Sequence, residues 1–150
     1  MVGKITVVFS TKGGVGKTFV ALNLAVGLAQ KKKKVLLLDF DLQAGADLAR
    51  MITLKPTRSI VDVCLDAGAM ENPRTIEQQA LKHSSGIDFF PCVSQIGETV
   101  KIDQEKIRFF LKNCAKVYEY IVIDGGKIFN ETLITVLDQS NLILLVATPD

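Results

Sequence analysis

Tryptophan is absent from this 150-residue chain, tyrosine occurs twice, and His83 is the single histidine. Cysteine is scarce too: Cys64, Cys92 and Cys114 are odd in number, widely spaced and never form a CxxC pair. That usage argues against a disulfide scaffold or a zinc site and fits a reducing compartment. Net charge is small, at +2, so no broad basic surface suited to nucleic acid is expected. The one dense basic run, "KKKK" at 31–34, lies between a helix pattern and a strand pattern and reads as a solvated turn. Long apolar runs are also missing. None approaches the roughly 20 residues a membrane span needs, and the first runs straight into glycines rather than into a cleavage site. These absences predict a soluble cytoplasmic protein with neither a nucleic-acid nor a membrane site in this segment.

What is present is an ordinary globular composition, 48% hydrophobic and 23% charged, at a length that suits one domain. Short continuous apolar runs recur: "KITVVFS" (4–10), "KVLLLDF" (34–40), "YEYIVID" (118–124) and "NLILLVA" (141–147). Unbroken Val/Ile/Leu runs suit strands covered on both faces, as in a parallel sheet. Helical patterns lie between them. Residues 17–30 are apolar almost all round, which predicts a helix deeply buried on the sheet. Over 103–118, Ile107, Phe110, Leu111, Cys114 and Val117 share one face and Asp103 suits the N-cap. "SIVD" at 59–62 has a capping-box pattern, and 130–138 is read as a helix capped by Asn130 that buries Leu133, Ile134 and Leu137. Within 75–93, "SSG" reads as a turn followed by the strand "IDFFPCV", with a helix or a strand before it. Alternating strands and helices predict an α/β fold, a mostly parallel twisted sheet with helices on both faces. Because the sequence stops just after a strand, it is expected to be the N-terminal part of a longer domain.

The chemistry concentrates in "STKGGVGKT" (10–18). Gly14-Val15-Gly16-Lys17-Thr18 follows a strand pattern and opens a helix pattern, as a phosphate-binding loop requires; Thr11 takes the place of the usual first glycine. Glycines let consecutive backbone N–H groups converge on phosphate oxygens, and the helix N-terminus adds its positive end. Lys17 is placed to neutralise β- and γ-phosphates and the Thr18 hydroxyl to ligate Mg²⁺. Acids belong at the carboxyl ends of neighbouring strands. "VLLLDFD" offers Asp39 and Asp41, on one side if the strand persists, and "YIVID" offers Asp124.

"KGGVGKT" (12–18) resembles the deviant Walker A motif of the ParA/MinD superfamily of P-loop ATPases (the SIMIBI class). The resemblance implies a three-layer P-loop NTPase fold that binds ATP or ADP with Mg²⁺, hydrolyses ATP slowly and forms a homodimer in the ATP state. It implies that Lys12 reaches the partner's nucleotide while Lys17 serves the chain's own. Nucleotide contacts fall to Lys12, Gly13, Gly14, Val15, Gly16, Lys17, Thr18 and Phe19. Asp41 activates the attacking water, Asp39 supports the magnesium shell, and Asp124 holds the ion through water beside Thr18.

"DFDLQAGAD" (39–47), "RSIVDVCLDAG", "LKHSSGIDFFPC" and "NLILLVATPD" resemble the CpaE/TadZ pilus-assembly branch. That implies a spatial switch with protein partners in a pilus or secretion machine, recruited to the inner membrane or cell pole. The alternatives within the superfamily are a partition or division-site ATPase, or a nucleotide-bound scaffold without turnover. Phe19 departs from the pattern where a second hydroxyl residue is usual, and "IDGG" (123–126) lacks the proline common after the aspartate. The expected results are weaker nucleotide binding and a more flexible second switch. His83 reads as a surface residue and the cysteines as core or apolar residues.

Overall fold

Apolar runs of four to six residues gain by covering both faces, and here they stack side by side. The computed structural model describes residues 2–41, 47–93 and 102–149. In chain order its elements begin β1 (Lys4–Phe9), α1 (Lys17–Gln30), β2 (Val35–Asp39), α2 (Asp47–Met51), α3 (Ile60–Leu65), α4 (Ala67–Glu71) and α5 (Pro73–Gln79). They continue as β3 (Leu81–Lys82), β4 (Ile87–Pro91), α6 (Gln104–Val117), β5 (Tyr120–Asp124), α7 (Glu131–Asp138) and β6 (Leu142–Leu145). The strands form one sheet in the order β3-β4-β2-β5-β1-β6. Every pairing is parallel except that of β3 with β4.

Side chains alternate across the sheet and divide the core in two. Leu36, Leu38, Ile121 and Ile123 join α3, α4, α5, α6 and α7 on one face. Val35, Leu37, Val122 and Phe89 meet α1 and α2 on the other. The result is the three-layer α/β/α architecture.

Helix boundaries follow their caps. Ser59 and Asp62 form the reciprocal capping box of α3, and Asp103 and Asn130 each accept a backbone N–H at the start of α6 and α7. Lys31–Lys34 is an exposed turn, with Lys33 paired to Glu119 at 3.1 Å and Lys34 to Glu77 at 2.6 Å.

Several expectations are corrected. α1 is not deeply buried: beyond Lys17, only Ala21 and Ala25 are fully covered, because the helix rests on the sheet through small side chains and leaves its flanks half-exposed. β6 is an edge strand with Leu142, Ile143 and Leu145 exposed, not one covered on both faces. In α7, Leu133, Thr135 and Val136 are buried while Ile134 is 44% exposed, so the inward stripe is rotated from the one read off the sequence. Before the 84–86 turn there are both a helix, α5, and a short strand, β3. His83 is half-buried, its Nδ1 within 2.8 Å of Ser85 Oγ.

Candidate functional site

Three adjacent strands, β2, β5 and β1, run parallel, so their carboxyl ends open at one edge of the sheet. The end of β1 leads into the 10–16 loop, which turns back into α1. Gly14 and Gly16 hold φ of 77° and 92°, a left-handed backbone that a side chain would strain. Gly16 is the N-cap of α1, and no side chain caps that helix end. The amides of the first turn are therefore left for another acceptor. At the start of the loop, buried Ser10 ties down Lys12: its Oγ accepts the Lys12 N–H and donates to the Lys12 carbonyl, both at 3.2 Å.

The acids arrive from the next two strands. Asp39 and Asp124 are register partners across β2 and β5, and both are buried. β2 ends at Asp39, so strand alternation does not place Asp41. Instead the Asp41 N–H donates to Asp39 Oδ1 at 3.0 Å, and the chain turns there. Lys17, itself buried, sets its ammonium 2.6 Å from Asp124 Oδ1 and 3.5 Å from Asp41 Oδ2. Two carboxylates thus flank one ammonium, with Asp39 beside Asp124 on the neighbouring strand. Burial pushes the Asp39 carboxyl up to about 7; the nearby Asp124 carboxylate adds to the rise, and Lys17 opposes it. Among the described residues no three acids converge as a ready-made metal cage; the carboxylates beside Lys17 and the Thr18 hydroxyl on the adjoining cleft wall are hard oxygen donors of the kind Mg²⁺ takes.

The loop and Asp41 border an open cleft of about 510 Å³, while Asp39 and Asp124 are buried and are not on its wall. Lys12, Gly13, Gly14, Gly16, Lys17, Thr18, Phe19 and Asp41 line it, so most of the sequence-predicted site residues meet in one place. Val15 is half-buried within the loop and is not on the cleft wall. Phe19 is 63% exposed and forms an apolar lip. Two lining residues were not singled out from the sequence, Met51 at the end of α2 and Lys127 after β5. Nothing in the local pattern marks Met51. Lys127 could have been found, since it follows two glycines after an acid-ended strand.

The model of the AAA domain family (AAA_31) matches residues 3–150. The chain is 29% identical to the septum site-determining protein MinD of Helicobacter pylori over 97% of this chain and 53% of that protein. It is 32% identical to the chromosome partitioning protein ParA of Myxococcus xanthus over 82% of this chain and 44% of that one. A ParA family ATPase of Chlorobium tepidum superposes with a TM-score of 0.86 at 24% identity, covering 98% of this chain and 61% of that structure. This chain belongs to the ParA/MinD superfamily of P-loop ATPases. It spans about half the length of the curated relatives it matches.

Packing accounts for the two glycines after Asp124. A Cβ on Gly125 would lie 3.1 Å from both Leu133 Cδ1 and Val7 Cγ1. Gly126 holds φ of 70° with its Cα side against Asp41. The two glycines therefore serve close packing as well as turning. The cysteines are buried, and burial pushes the Cys64 and Cys92 thiols up to about 12. Among the described residues no helix is long and apolar enough to cross a membrane.

Proposed function

We propose that the chain carries the nucleotide site of a Mg-ATP-dependent switch: it binds ATP in the cleft, assembles as a homodimer in that state and hydrolyses slowly to release it. One observation carries the reading, the meeting of Lys17, Asp39, Asp41 and Asp124 beneath a left-handed glycine loop at three adjacent strand ends. In this reading the amides of Gly13 to Lys17 cradle the phosphates and Lys17 exchanges its carboxylate contacts for phosphate oxygens. Phe19 borders the α-phosphate. Thr18 and Asp124, with Asp39 behind them, hold Mg²⁺, which when bound screens phosphate charge and polarises the terminal phosphate. Asp41 takes the proton of the attacking water. Lys12, on the exposed arm of the loop, serves the nucleotide of a second copy.

The spelling "DFDLQAGAD" supports a role in positioning a pilus or secretion machine, with partners at the inner membrane or pole and the chain itself cytoplasmic. The relatives named MinD and ParA favour instead division-site or partition placement. A nucleotide-bound scaffold without turnover is the reading that exposed Phe19 favours.

Mixing variants tests the switch. Lys12→Ala and Lys17→Ala should each release little phosphate alone, while a mixture regains part of the activity. In the mixed dimer the Lys12→Ala copy binds ATP and receives an intact Lys12 from its partner. A cation delivered in trans is worth roughly 10³–10⁵ in rate in related systems. Mixed dimers without recovered turnover would contradict the reading.

A further inference from the structure

Lys127 stands outside the phosphate loop, yet it reaches it. A Cβ built on Gly13 would lie 3.7 Å from Lys127 Cδ and 3.8 Å from its Nζ, so the ammonium hangs over the loop backbone. The side chain is exposed and lines the same cleft as Lys12 and Lys17. Lys17 is held by two carboxylates, whereas Lys127 has no ion-pair partner among the described residues. An uncompensated cation over an amide-lined loop is the arrangement an oxyanion would complete.

The end of the nucleotide it would touch follows from what precedes it. Gly126 packs against Asp41, with a built Cβ 3.3 Å from Asp41 Cα and Cγ. Asp41 is the acid assigned to the attacking water, so the phosphate beside it is the terminal one. Gly13 lies four residues before Lys17, at the arm of the loop away from the helix. Lys127 and the water-side acid thus line the same cleft, joined through Gly126. Left-handed Gly126 directly precedes Lys127 in the chain and packs against Asp41.

Resting on the nucleotide reading above, we infer that Lys127 is a specificity residue, a cation supplied in cis that contacts the terminal phosphate and lets the loop after β5 distinguish ATP from ADP. Such a contact needs no second copy, so it acts before assembly and biases the monomer toward the triphosphate. It differs in this from Lys12, whose charge arrives only with a partner.

Equilibrium dialysis with Mg²⁺ and either a non-hydrolysable ATP analogue or ADP tests this. Lys127→Ala should weaken the analogue about tenfold to a hundredfold, the span of one charge-assisted hydrogen bond, and ADP by less than about threefold. Lys127→Arg should keep most of the preference. Because the side chain is exposed, melting curves of both variants should match the parent. Equal weakening of both nucleotides, or of neither, overturns the assignment. The Lys17→Ala control separates the two layers. If the parent binds and Lys17→Ala does not, a failure at Lys127 touches this inference alone; a parent that binds neither nucleotide removes the site reading with it.

Discussion

At the residue scale, the decisive feature is a charge imbalance held out of water. Asp39 is 3% exposed, shares its surroundings with Asp124, and accepts a hydrogen bond from the Asp41 amide. Its folded pKa is raised from 3.8 to about 7, so the folded chain holds that proton more tightly than the unfolded chain does. The associated stability is fully present below about 3.8 and is lost as pH rises through about 7. Asp39→Asn keeps an oxygen for the Asp41 amide and removes the repulsion. At pH 8 without magnesium it should melt about 2–4 °C higher, the shift of roughly 1 kcal/mol in a domain of this size, and lose the magnesium-dependent part of nucleotide binding. A lower melting temperature would mean the carboxylate is well compensated where it stands. Asp39, Asp41 and Asp124 were legible as candidates because acids close two apolar runs in a chain that also carries a phosphate loop, although an acid at a single strand end is common by chance. Their meeting was not. The route of Asp41 to Lys17 depends on a turn after β2 rather than on strand alternation.

At the scale of elements, strand runs and caps were legible and orientations were less so. Continuous Val/Ile/Leu stretches identified β1, β2 and β5, and Asp103, Asn130 and the Ser59–Asp62 box marked helix starts, because a cap is a local bond between near neighbours. α1 misled for a physical reason. Its apolar residues are spread around the helix, and only tertiary packing selects Ala21 and Ala25 as the side that meets the sheet. β3 and α5 competed over one short stretch where local pattern cannot arbitrate. The connection from β5 to α7 is the element whose sequence and site depend most on each other. Gly126→Ala forces a side chain into left-handed backbone and against Asp41. It should cost about 1–2 kcal/mol, lowering the melting temperature by about 2–8 °C. Nucleotide affinity should fall as well, because the same shift displaces Asp41 and Lys127. Unchanged melting and affinity would show that the loop relaxes without moving the acid.

For the whole molecule, the topology explains why a loop, two strand ends and a following hinge form one site. Placing β5 between β2 and β1 brings Asp39 opposite Asp124, and Asp124 opposite Val8, two residues before the loop begins at Ser10. The alternation of strands and helices made this fold class legible from the sequence. The strand order was not, since it depends on which apolar faces fit together. The sequence marks Lys127 only by its place after two glycines and an acid-ended strand; its approach to Gly13, more than a hundred residues earlier in the chain, is visible only in three dimensions. The central claim, that this cleft binds a magnesium nucleotide through Lys17, is tested most directly by titration calorimetry. ATP titrated into the chain with Mg²⁺ should give saturable binding that weakens strongly in EDTA and disappears in Lys17→Ala, while that variant still melts cooperatively. Affinity unchanged by Lys17→Ala, or indifferent to magnesium, would contradict the account.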